Sequence, residues 1–160
     1  MADKYKSLRD MIGKHESPGG IYDVEYGGGS LDLKNMTIRQ VLAHQRAQKQ
    51  AGVKSTAVGR YQFINKTLDE IVRRNPKDFP LDKKFDAETQ DRLADILIER
   101  RYKRAMSTSG GVYDRTGFAK EISKEWASMP NPSTGKSYYD GDGLNSSGIS
   151  VHDFMKGIPK

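Results

Sequence analysis

The sequence predicts a mainly helical α+β domain with one small β excursion directly after the first helix. Three observations carry that expectation. Tyr5, Leu8 and Ile12 recur at three- or four-residue steps, which marks an amphipathic helix over 3–16 that is broken by Gly19-Gly20. Ile21-Tyr22-Asp23-Val24-Glu25-Tyr26 then alternates with period two, as a short strand does, and places Tyr22, Val24 and Tyr26 on one face. After the turn Gly27-Gly28-Gly29-Ser30, apolar side chains return at helical spacing in each longer segment as far as Trp126.

Thr37 with Gln40 matches a capping box and opens a helix carrying Ile38, Val41, Leu42 and Gln45 until Gly52 interrupts it. A helix over 60–74 is predicted next, with Phe63, Ile64, Leu68, Ile71 and Val72 inward and Asn75-Pro76 as its stop. Asp86 caps a longer helix to about Arg104 that buries Leu93, Ile96, Leu97 and Tyr102. Gly110-Gly111 separates it from a helix with Phe118, Ile122 and Trp126 at i, i+4, i+8. From Pro130 the chain is rich in Gly, Ser, Asn, Pro and Tyr, so residues 137–160 are expected to wrap the surface, with a helical turn from Val151 to Met155.

A chain of 160 residues without a linker or an internal repeat reads as a single domain, 1–160. It contains no cysteine, which excludes zinc-thiolate sites and a cysteine nucleophile. No apolar run approaches the ~20 residues of a membrane span, so no stable membrane insertion is expected. Met-Ala-Asp-Lys-Tyr-Lys-Ser at the start is not a secretory signal. The net charge of +6 suggests a polyanionic partner. Nucleic acid is not expected, because Lys and Arg are spread through the helices instead of interleaving with aromatics. Arg100, Arg101, Lys103 and Arg104 have the plainer reading of cations closing a helix.

Glu16 extends the stripe of Tyr5, Leu8 and Ile12. A carboxyl held among apolar side chains loses hydration and keeps its proton to higher pH. Such a group can hand that proton to a leaving oxygen, the minimal machinery for cleaving a glycosidic bond. The plainer reading is a helix C-terminal carboxylate turned to water. A second block, Ser55-Thr56-Ala57-Val58-Gly59-Arg60-Tyr61-Gln62-Phe63, offers a glycine for close backbone approach, an amide and a flat ring for a pyranose. Taken alone it is a helix N-terminus with a permissive glycine.

Glu16-Ser17, Tyr22-Asp23-Val24, Tyr26-Gly27-Gly28, the block from Ser55 to Gln62, and Trp126-Ala127-Ser128-Met129-Pro130 occur in this order. Together they resemble the endolysins of lambda-phage type, lysozyme-like lytic transglycosylases of the lysozyme superfamily. The resemblance runs from about Ser7 to Tyr139. It implies a lysozyme-like fold and cleavage of the β-1,4 bond between N-acetylmuramic acid and N-acetylglucosamine in peptidoglycan. The family's catalytic carboxylate falls on Glu16, and Ser55, Gly59, Tyr61 and Gln62 fall at its sugar cleft. Tyr139, in Tyr138-Tyr139, is a further candidate for stacking on sugar. Trp126 lies in the family's Trp-Ala-Ser segment but, on an apolar stripe, reads more simply as core. His15 before the glutamate, Ser17-Pro18 after it and Val58 before Gly59 depart from the family's usual pattern.

A glycosidase that uses water normally has two carboxylates, about 5–5.5 Å apart when retaining and about 6.5–9.5 Å when inverting. Asp23 and Glu25 are candidates for the second, since both lie on the strand face away from Tyr22 and Val24; alternatively Asp23 hydrogen-bonds a turn. The family works with one, which implies 1,6-anhydromuramyl ends. No cofactor or metal is expected: His15, His44 and His152 lack ligand spacing. Gly52-Val53-Lys54-Ser55-Thr56 lacks the first glycine of a phosphate loop, and Asp140-Gly141-Asp142-Gly143-Leu144-Asn145 lacks the distal glutamate of a calcium loop. A monomer acting on peptidoglycan glycan strands is expected, held in the host cytoplasm until release to the wall or carried in the virion. A non-catalytic wall-binding module and a basic nucleic-acid-binding protein are the competing classes.

Overall fold

Helix α1 (Lys6–Glu16) buries Leu8 and Ile12 as their spacing predicts, and Tyr5 just before it is buried as well. This computed structural model describes residues 3–139 and 147–160, so the calcium-like run Asp140–Asn145 lies outside the described residues. The remaining helices are α2 (Ile38–Gln50), α3 (Asn65–Arg74), α4 (Ala87–Thr108), α5 (Arg115–Glu125) and α6 (Val151–Gly157). Two compact units divide the chain: Ser17–Leu93 is one, and the residues up to Glu16 join those from Ala94 onward in the other. Helix α4 contributes residues to both.

In the discontinuous unit, α1 packs on α6. Gly157 permits the contact, since a Cβ there would stand 2.9 Å from Met11 Cε and 3.6 Å from Leu8 Cα. Phe154 and Ile158 are buried, and Arg115 donates to the Ile158 carbonyl at 3.1 Å. The segment expected to wrap the surface therefore plants two apolar anchors instead, each contributing about 1.5–3 kcal/mol of burial. Phe118 meets Tyr5, Tyr102 and Tyr113 edge-on or tilted, with centroids 5.5–6.4 Å apart. Buried Arg9 donates to Asp3 at 2.7 Å and to Asp95 at 2.9 Å, and its guanidinium holds the Asp3 carboxyl below its usual range. Trp126 ends α5 with its indole buried, as a core residue.

Helix α4 runs to Thr108, past the predicted end, so Arg100–Arg104 do not form its last turn. Arg101 reaches across to Glu125 at 3.0 Å and Glu121 at 3.1 Å on α5. Its charge therefore ties two helices together. Asp86 caps α4 as predicted, its Oδ1 accepting from the Thr89 N–H at 3.0 Å.

In the contiguous unit, the Thr37/Gln40 capping box is complete, and α2 buries Ile38, Val41, Leu42 and Gln45. The strand expected over 21–26 shrinks to single bridges, Val24 with Ser30 and Glu25 with Val58. Val24 is fully buried, but Tyr26 is exposed. The helix expected over 60–74 starts only at Asn65. Before it, Val58 and Phe63 exchange both backbone hydrogen bonds, at 3.0 and 2.9 Å, around the loop Gly59-Arg60-Tyr61-Gln62. Ile64 becomes the N-cap of α3 and is exposed, contrary to its inward assignment, whereas Leu68, Ile71 and Val72 are buried. Tyr22, Tyr61, Phe63 and Phe85 form a chain of edge contacts with centroids 5.9–6.3 Å apart.

Candidate active site

Glu16 is the last residue of α1, where the apolar stripe of the helix delivers its carboxyl into a half-buried position. Ser128 meets it: the hydroxyl donates to Glu16 Oε1 at 2.8 Å and the Ser128 N–H donates to the same oxygen at 3.2 Å. Oε2 makes no hydrogen bond among the described residues. Burial pushes the Glu16 pKa above its ordinary value of 4.5, and the two bonds from Ser128 pull the other way. Ser128 is itself fixed. Its carbonyl accepts from the Gly148 N–H at 3.1 Å, and the turn before it is closed by Met129 N–H donating to the Trp126 carbonyl at 3.0 Å.

The Ser55–Phe63 block lies in the contiguous unit and is held by two buried glutamines. Gln45 donates through Nε2 to the Thr56 and Phe63 carbonyls, both at 2.9 Å. Gln90 accepts from the Arg60 N–H at 2.9 Å and donates to the Phe85 carbonyl at 3.1 Å. Gly59 has φ +82°, and a Cβ there would fall 2.4 Å from Gln90 Oε1. Its glycine is thus required by the clamp and not only by an approaching ligand. Gln62 adopts φ +53°, the one non-glycine residue with positive φ among those described. Its side chain donates back to the Gly59 carbonyl at 2.9 Å. Left-handed backbone at a residue with a Cβ costs about 1–3 kcal/mol and concentrates at functional loops.

Tyr61 does not offer its ring to solvent. It is fully buried, its hydroxyl donates to Asp91 at 2.5 Å, and burial together with Asp91 pushes its pKa far up. Tyr22 donates to the same carboxylate at 2.9 Å, and the Arg60 guanidinium lies 5.1 and 5.6 Å from the two ring centroids. This network sets the shape of the loop, so the sugar-stacking role expected of Tyr61 is replaced by a supporting one. Ser55 is half-buried and accepts from the Ala57 N–H at 3.2 Å.

Asp23 takes the turn-bonding alternative, accepting from the Lys34 N–H at 3.1 Å. Glu25 Oε2 lies 2.9 Å from His44 Nε2 and accepts from Gln48 Nε2 at 3.2 Å. Tyr139, in the discontinuous unit with Glu16, is exposed beside Tyr138 and donates to the Lys124 carbonyl at 2.6 Å. Among the described residues no three His, Cys, Asp or Glu side chains gather as a metal site.

Sequence reasoning missed Ser128 and the clamp formed by Gln45 and Gln90. Ser128 was in view, two residues beyond Trp126 in the same block, but nothing local marks it as the partner of a carboxyl 112 positions earlier. The spacing does place Gln45 inward on α2, without disclosing what it holds.

The endolysin family model matches residues 11–147. The lysozyme of bacteriophage lambda is similar in structure, with 22% identity and a TM-score of 0.56, covering 98% of this chain and 95% of that one. The same phage enzyme solved in complex with a chitohexasaccharide gives 21% identity and a TM-score of 0.56 over the same shares. No curated protein sequence matches the chain significantly. Among the described residues no helix is long and apolar enough to cross a membrane. With the family model spanning most of the chain and the lambda lysozyme fold reproduced, this protein belongs to the endolysins, phage-type enzymes that degrade peptidoglycan.

Proposed function

We propose that the chain cleaves the bond between N-acetylmuramic acid and N-acetylglucosamine by lytic transglycosylation, with Glu16 as its single acid and base. The observation that carries this reading is the asymmetric environment of Glu16: a half-buried carboxyl with raised pKa, one oxygen held twice by Ser128 and the other without a hydrogen bond among the described residues. In the acid step the proton on Oε2 passes to the glycosidic oxygen, the bond from the muramyl C1 to that oxygen breaks, and N-acetylglucosamine leaves with a free 4-hydroxyl. The ionised Glu16 then takes the proton of the muramyl C6 hydroxyl while O6 bonds to C1. The 1,6-anhydro ring closes, Glu16 regains its proton, and no water is consumed.

Asp23 and Glu25 are already engaged by Lys34, and by His44 and Gln48, which favours the single-carboxylate route over hydrolysis with a second base. Ser55, Gly59 and Gln62 are proposed to contact the glycan, with Gln62 the strongest of them because its backbone is held left-handed. Tyr139 is proposed as a stacking surface. The chitohexasaccharide bound by lambda lysozyme supports a glycan strand as the ligand class. Mass spectrometry of fragments released from purified peptidoglycan tests the proposal: anhydromuramyl ends are expected, and ordinary reducing ends would mean that water attacked.

Ser128→Ala removes one of the two bonds that favour ionised Glu16. Turnover is expected to fall about tenfold, as for loss of one hydrogen bond to a charged group. The alkaline limb of the pH–rate profile, which reports loss of the acid's proton, moves to higher pH. An unchanged limb would detach Ser128 from the acid.

A further inference from the structure

Cations occur along the whole chain, but acids do not. Residues 33–68 carry seven Lys and Arg and not one Asp or Glu. The remaining positions hold twenty Lys and Arg against twenty-one Asp and Glu, so the entire +6 excess originates in this one stretch. Helix α2 lies at its centre and is the only α-helix of the described residues without an acidic side chain. The others carry internal pairs or acids of their own, as in Lys6–Asp10 on α1 and Arg73–Asp69 on α3.

The structure puts this charge outside. Ile38, Val41, Leu42 and Gln45 take the buried side of α2, which leaves Arg39, Arg46 and Lys49 exposed. Arg39 and Arg46 are seven residues apart, about 10 Å along one stripe, and Lys49 follows one turn later. The exposed residues between them are Gln40, Ala43 and Ala47, so no acid interrupts the row. Past the C-cap at Ala51, exposed Lys54 continues it. Arg39 has an acidic neighbour, Asp82 at 3.4 Å. Arg46, Lys49 and Lys54 form no ion pair among the described residues.

We infer that the outer face of α2 with the 51–54 turn docks on the carboxylates of peptidoglycan stem peptides and so holds the enzyme on its polymer. This rests on the peptidoglycan reading above. Charge complementarity selects the occupant: the glycan strands themselves are the ligand proposed for the Glu16 site, and the carboxylates are the dense anionic groups of the same polymer. Contact by mobile surface side chains is weak per group but adds along a repeating polyanion, and it is screened by salt.

The test is co-sedimentation with purified sacculi of the Glu16→Gln protein, with and without Arg46→Gln, Lys49→Gln and Lys54→Gln. One portion of the sacculi has its carboxyl groups capped as neutral amides. On untreated sacculi in low salt the triple variant is expected to bind about tenfold more weakly, and the difference to vanish near 1 M salt, where the screening length is about 3 Å. Capped sacculi are expected to bind both proteins equally weakly. Thermal melts within about a degree of each other will show that the fold is intact, as usual for exposed substitutions. Equal binding of the two proteins to untreated sacculi overturns the inference, as does capping that leaves binding unchanged. So does binding to phosphatidylglycerol vesicles that depends on the three cations and exceeds binding to sacculi. Failure of the peptidoglycan reading is separate: the wild-type chain would then release no fragments from sacculi.

Discussion

Glu16→Gln is expected to lower release of peptidoglycan fragments by at least about a thousandfold, within the range for loss of a general acid, while making the protein more heat-stable at neutral pH. The loss of activity follows from removing the only proton that the proposed route transfers. The gain in stability follows from the sign of the pKa shift. Burial raises the Glu16 pKa in the folded chain above the ordinary carboxyl value that it regains on unfolding. Between those two values the folded state binds the proton that the unfolded state releases, so stability falls as pH rises through that window. Above the folded pKa the whole penalty of an ionised, desolvated carboxyl is in force; below the ordinary value it is absent. Glutamine escapes it and keeps an amide oxygen to accept both bonds from Ser128. Each unit of elevation corresponds to about 1.4 kcal/mol, or about 3–6 °C in a chain of this length. Melting curves of both proteins from acid to neutral pH, run beside a turbidity assay on cell walls, check both halves. A variant that lyses walls like wild type, or melts lower at neutral pH, removes Glu16 from its role.

Gly59→Ala acts through the fold. The position combines φ +82° with a Cβ that would stand 2.4 Å from Gln90 Oε1 and 3.0 Å from the carbon bearing it. Gln90 cannot swing aside cheaply, because it is fully buried and the same oxygen accepts from the Arg60 N–H. Left-handed backbone and overpacking each cost about 1–3 kcal/mol, so a loss of about 3 kcal/mol is expected, or roughly 6–12 °C in melting temperature. Activity should fall with it even at temperatures where the variant stays folded, because the loop carrying Gln62 loses its clamp. A variant with an unshifted melt would mean that Gly59 is not needed by the clamp.

These two positions show what a sequence discloses and what it withholds. Periodicity placed α1, α2 and α5, and the Thr37/Gln40 box placed a helix start to the residue, because the interactions that decide them lie within a turn or two of each other. The segment 60–64 read as the start of a helix because Phe63 and Ile64 fit the spacing of Leu68, Ile71 and Val72. What opens it into a loop is the left-handed backbone at Gly59 and Gln62 and clamps from Gln45 and Gln90, up to thirty residues away. The strand at 21–26 failed for a related reason: alternation is necessary for a ladder but does not supply a neighbour, and Val24 and Glu25 find only single partners. At the candidate site the buried setting of the Glu16 carboxyl was legible from its stripe. The hydrogen-bond donor that tunes it was not, since Ser128 is paired to Glu16 by tertiary structure alone.

The division of the chain has a consequence for how the enzyme is born. Residues 17–93 are contiguous and can close upon themselves while the rest is still on the ribosome. Helix α1 emerges before them, yet its packing partner α6 and the serine that meets its terminal carboxyl are synthesised last. Until then Glu16 is an ordinary hydrated side chain on a nascent segment. Glu16 therefore gains its buried, Ser128-bound setting, and with it the raised pKa, only once the C-terminal part of the chain has been made.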